Sequence, residues 1–70
     1  MIISSVADFG LALRKRRKKL NYTQAFLSEF SGLSVSFISD LERGKNTAEL
    51  GKALYLANLL GLDLDLSGRE

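Results

Sequence analysis

Within residues 23–45 the chain places two helix starts and two helix stops, and that spacing leaves the segment little freedom. Thr23 and Ser34 are N-cap residues, whose hydroxyls accept from backbone N–H groups of the first helical turn. Each follows an apolar residue and precedes another four positions on, so Tyr22 with Leu27 and Leu33 with Ile38 form two hydrophobic staples. Gly32 supplies the positive φ that closes the first of these helices, and Gly44 does the same for the second. The expectation is two short helices joined by a tight glycine turn.

The remaining segments read as further helices of the same small body. A first helix over residues 6–19 begins at Ser5, with Asp8 three residues on, and stops at Asn21, which tolerates the left-handed conformation. Its apolar stripe is Val6, Phe9, Leu13 and Leu20. A last helix starts after Asn46 or Thr47 and carries Glu49 in its first turn. It sets Leu50, Leu54, Ala57 and Leu60 at helical spacing, points Tyr55, Leu56 and Leu59 elsewhere, and ends at Gly61. The expected class is all-α, four to five short helices in a single domain over residues 1–70, with a short C-terminal strand.

A chain of 70 residues holds one modest core, and with neither Cys nor His it has no disulfide or zinc site to staple that core. Stability then comes from packing or from association. The lack of Cys suits a reducing cytoplasm. Residues 1–10 lack a basic leader and carry Asp8, and no uninterrupted apolar run approaches membrane-spanning length, so a cytoplasmic protein without a membrane partner is expected. No nucleophile has a His or Cys beside it, and Asp63 with Asp65 lack a third ligand. Neither enzyme activity nor a metal or cofactor is therefore expected.

Charge distribution says more than net charge, which is only +2. Arg14, Lys15, Arg16, Arg17, Lys18 and Lys19 form an unbroken cationic run, while the rest of the chain is net negative. That asymmetry is the footprint of a polyanion-binding surface. The alternative is a solvated helix end whose cations complement the helix dipole. Arg17 stands apart: four residues after Leu13 and three before Leu20, it lies on the apolar stripe. A charge there needs a partner, and Glu42 near the end of the third helix is the candidate for a bidentate pair. Otherwise Arg17 snorkels outward from the edge of the stripe. Two capped helices around a glycine turn, beside a cationic helix, are the layout of a helix-turn-helix, whose second helix enters the DNA major groove.

Leu20-Asn21-Tyr22-Thr23-Gln24, then Leu27, Gly32, Ile38-Ser39-Asp40-Leu41-Glu42-Arg43-Gly44-Lys45 and Leu60-Gly61-Leu62 carry a resemblance to the Cro and lambdoid repressor class of helix-turn-helix domains over about residues 9–62. The ending Leu62-Asp63-Leu64-Asp65-Leu66, straight after the last helix, is similar to that of HipB-like antitoxins. The resemblance implies a repressor that binds double-stranded operator DNA as a homodimer and serves as antitoxin to a HipA-type kinase toxin. It also implies an Arg17–Glu42 ion pair, a phosphate-contacting Gln24 at a helix N-terminus, and Arg43 and Lys45 near the DNA backbone. Base-reading positions fall on Ser34, Val35, Ser36, Ser39 and Asp40, and Arg16 of the cationic run joins the DNA-contacting set.

That recognition face has no Gln, Asn or Arg on its first turns, so the strong bidentate pairings to adenine or guanine are missing. Serine hydroxyls donate or accept, Val35 suits a thymine methyl, and Asp40 suits a cytosine amino group. Affinity is expected to lean on phosphates and DNA shape. Against the class, Phe26 stands where a polar residue is usual, and with Tyr22 and Phe30 it makes a candidate toxin contact. The alternative is that Phe26 folds back along the domain edge. Ser28 and Ser31 replace the usual Ala, which implies looser packing in that helix, and Asn46 replaces a frequent Pro.

Leu62, Leu64 and Leu66 alternate with Asp63 and Asp65, the period of a half-buried strand. One strand cannot stand alone, so residues 62–66 are expected to pair with their copy across a two-fold axis and cover Tyr55, Leu56 and Leu59. Two other functions remain open: a stand-alone phage-type repressor, and a protein-binding adaptor with little DNA affinity.

Overall fold

A computed structural model describes residues 2–69 and contains four helices in the order α1 (Val6–Lys19), α2 (Gln24–Ser31), α3 (Val35–Glu42) and α4 (Leu50–Leu59). The first three begin on side-chain caps: Ser5 accepts from the Asp8 N–H, Thr23 from that of Phe26, and Ser34 from that of Phe37. Helix α1 ends through the left-handed Asn21, whose N–H donates to the Lys18 carbonyl while the Tyr22 N–H donates to that of Arg17. The same paired closure ends α3 and α4, where Lys45 N–H reaches Asp40 and Leu62 N–H reaches Ala57.

Helix α4 differs from expectation in its start and in its inward face. Its first turn has no side-chain cap: Glu49 is the extended cap residue, and the Ala48 N–H closes a turn onto Lys45 instead. The helix therefore begins at Leu50, later than the Asn46 or Thr47 start implied. It buries Ala53, Leu56 and Ala57, with Leu60 just past its end, and leaves Leu50 and Leu54 exposed. Both registers of this apolar segment offer a stripe, and the one containing two alanines lets the helix lie closer to the core. Leu56 is thus a core residue, fully enclosed with Leu13, Leu27, Ile38, Leu41 and Leu60.

The close approach of α1 to α3 depends on Gly10. A Cβ built there would fall on the Leu41 carbonyl oxygen and within 2.9 Å of the Glu42 carbonyl group, so the two backbones touch where any other residue would hold them apart. This contact sets the depth at which α3 sits.

Among the described residues there is no strand: residues 62–69 have no regular secondary structure. Leu62 packs against the core, whereas Leu64 and Leu66 are exposed. A ladder needs a second edge, and one copy of this chain offers none. No described helix is long and apolar enough to cross a membrane.

Candidate nucleic-acid interface

The turn between α2 and α3 is built by side chains as well as by Gly32, which sits at φ 81°. The Ser28 hydroxyl donates to the Leu33 carbonyl at 2.6 Å, and Ser31 Oγ accepts from the Leu33 N–H at 3.1 Å. These serines bond the turn together, so the looser packing expected of them is replaced by a polar lock. The Tyr55 hydroxyl, from α4, donates to the Ser31 carbonyl at 2.9 Å and holds the same corner from outside.

Ile38 and Leu41 anchor α3 in the core, which turns Val35, Ser36, Ser39 and Asp40 away from it. Val35 and Ser36 are exposed, while Ser39 and Asp40 are half-buried. Ser34 lies at the same end, but its oxygen is already occupied by the cap to Phe37.

Behind this face, Arg17 donates from Nε to Glu42 Oε2 at 2.7 Å and from Nη2 to Oε1 at 3.0 Å. Arg17 and Glu42 are both buried residues. Arg17 Nη1 also donates to the Tyr22 carbonyl at 2.8 Å, and Gln24 Nε2 donates to Glu42 Oε1 at 3.1 Å. The Glu42 carboxylate thus joins α1, the first residue of α2 and the end of α3, and Arg17 ties in the loop before α2. Among the described residues no buried side-chain polar atom lacks a partner. A cleft of about 260 Å³ opens over this network, lined by Arg14, Arg17, Gln24, Ser39, Glu42 and Arg43.

The cationic run divides differently from expectation. Arg16 Nε donates to the Leu60 carbonyl at 2.7 Å, and its guanidinium lies against Gly61, so it caps the C-terminus of α4. That hydrogen bond gives Arg16 a structural role beside the DNA-contacting one expected of it. Arg14, one turn before Arg17, lines the cleft wall. The three-residue spacing to Arg17 is the signal that sequence reasoning passed over. Lys15, Lys18 and Lys19 are exposed.

Asp40 gathers the cations at the far end of α3. Its Oδ1 accepts from Arg43 Nη2 at 2.9 Å, and its Oδ2 accepts from Lys45 Nζ at 3.4 Å. The Arg43 hydrogen bond, reinforced by Lys45, holds the Asp40 carboxyl below the usual carboxylate range.

Elsewhere Tyr22, Phe26 and Phe30 form a plate, with ring centroids 4.7 Å apart for Tyr22 and Phe26 and 5.8 Å apart for Phe26 and Phe30. Phe26 stays 46% and Phe30 51% exposed. Of the residues expected at a dimer face, Leu56 is excluded by its burial in the core, and Leu59 and Leu62 are half-buried. Tyr55, Leu64 and Leu66 stand exposed.

A helix-turn-helix family model matches residues 13–67. An uncharacterised HTH-type transcriptional regulator, y4mF, of Sinorhizobium fredii is 41% identical over 64 residues, covering 91% of this chain and 84% of that protein. In fold, a HipB–O4 20mer complex superposes with a TM-score of 0.87 at 21% identity, covering 100% of this chain and 99% of the other. A HipA–HipB–O2–O3 complex gives 0.88 at 21% identity with the same coverage, 100% and 99%.

Proposed function

This chain belongs to the helix-turn-helix family, and from that premise we propose that it is a transcriptional repressor that binds double-stranded operator DNA as a homodimer. The observation that carries the reading is the network on Glu42. It fixes the N-terminus of α2 and the end of α3 to α1, so the recognition helix is presented in one orientation, with Arg14 and Arg43 at its flank. Catalysis is not part of the reading, and a cytoplasmic location accompanies it.

Ser36, Val35 and Ser39 face the base edges, with the Ser34 cap at the groove entrance, while Gln24, Arg14, Arg43 and Lys45 meet phosphates. The paucity of bidentate donors on α3 leaves selectivity to shape and to a few contacts. Dimerisation uses Tyr55, Leu59, Leu62, Leu64 and Leu66, with residues 62–66 pairing across the two-fold axis. A dimer of this kind spaces its recognition helices by about 34 Å, one turn of duplex.

The finer role is that of an antitoxin that also binds a HipA-type kinase toxin through Tyr22, Phe26 and Phe30. Support comes from the exposed aromatic plate and from the fold match to HipB, which one of the matched structures holds in a complex with HipA. A gel shift with the protein's own promoter tests DNA binding. Retention of that duplex at low salt is expected, and no retention by folded protein favours an adaptor role. Co-purification with the protein encoded beside it tests the toxin.

A further inference from the structure

We infer that Asp40 is a specificity-determining clamp, which holds Arg43 and Lys45 away from phosphates until a cognate base takes their place. The inference rests on the DNA-binding reading above. Both cations reach the same carboxylate, one on each oxygen, at 2.9 and 3.4 Å. The Asp40 carbonyl also accepts the backbone N–H groups of Arg43 and Lys45, so the turn after α3 wraps both cations toward the carboxylate. Arg43 and Lys45 are exposed, and burial does not hold them in this arrangement.

Against random duplex, Asp40 has two effects: it brings one negative charge toward the phosphates and occupies two cations that would otherwise neutralise them. A cytosine amino group opposite Asp40 changes that balance. It donates to the carboxylate in place of a guanidinium or ammonium donor, and the displaced cation turns to the phosphate backbone. Base recognition and backbone contact are then one event, which suits a recognition helix whose other outward residues are Ser36, Ser39 and Val35. Cognate affinity rises through phosphates that random DNA does not reach.

The test compares intact protein with D40N on a duplex pool of random sequence and on duplexes selected from that pool by each protein, with anisotropy read across a salt series. D40N keeps the size and the helix, checked by circular dichroism. On the random pool its affinity is expected to rise roughly tenfold, with a log K against log salt slope steeper by about 1 to 2, one phosphate per cation released. Simple repulsion by the carboxylate is itself screened by salt and would steepen the slope with or without Arg43 and Lys45. In an R43Q/K45Q background the slope change disappears, and the cytosine selected by the intact protein is lost from duplexes selected by D40N. Equal slopes for intact protein and D40N, with both binding, overturn the clamp alone. No binding by either overturns the DNA-binding reading and the clamp with it.

Discussion

Glu42 receives both arms of the Arg17 guanidinium, at 2.7 and 3.0 Å, and donors from Gln24 and Arg17 converge on its Oε1. The pair is buried, and the planar fork of Arg matches the carboxylate where a Lys would offer a single point of charge. Removing one partner leaves the other desolvated without compensation.

Arg17→Ala is accordingly expected to cost about 3 to 5 kcal/mol in denaturant unfolding, and Arg17→Lys to recover little of it. A double-mutant cycle with Glu42→Ala measures the coupling. Additive losses would show that the two side chains do not stabilise each other.

Gly10→Ala separates packing from propensity. Helix propensity alone makes the substitution favourable by about 0.5 to 1 kcal/mol in the interior of α1. The added Cβ would fall on the Leu41 carbonyl, so a loss of about 1 to 3 kcal/mol is expected as α1 and α3 are forced apart. A rise in Tm would mean that the two helices are not in backbone contact.

How much of this was legible in the sequence follows from where the determinants lie. Thr23, Ser34 and Gly32 act on their own neighbours, and the helices they bound begin and end where local chemistry places them. Arg17 and Glu42 are distant in sequence, yet a charge on an apolar stripe announces its need for a partner. Helix α4 was harder: without a side-chain cap its start is set by the turn at Lys45, and two apolar registers competed for the core. In a run of six cations, residue type carries no phase, which is why the sequence does not tell that Arg16 bonds the end of α4 while Arg14 lines the cleft. A strand that needs a second copy leaves no mark on one chain.

The Asp40 carboxyl is held low by Arg43 and Lys45, so the sign of its linkage is fixed. Any stabilisation from the cluster is present above the unfolded-state pKa and lost as pH falls through the lower folded value. Asp40 is only half-buried and its two cations are exposed, so salt screens the effect. An NMR titration of its carboxyl carbon is expected to show a midpoint below that of Asp in an unstructured peptide, and R43Q to move it upward. An unshifted midpoint would break the link to Arg43.

Leu64→Asp places a charge where the proposed two-fold strand buries a leucine, and light scattering at micromolar concentration is expected to show dimer for the intact chain and monomer for the variant. An intact chain that is already monomeric removes the dimer. A variant that remains dimeric moves the interface to the exposed face of α4.

The central claim is that α3 and its flanking cations meet duplex DNA, and the salt dependence of binding measures it most directly. Anisotropy of a labelled promoter duplex is expected to give a linear fall of log K with log salt, with a slope of about −0.9 per phosphate neutralised, and Arg14→Gln to reduce that slope by about one such unit. Arg16→Gln is expected to leave the slope unchanged, because Arg16 is spent on the Leu60 carbonyl. Folded protein that fails to bind the duplex at low salt, or binds it with no dependence on salt, would contradict the account.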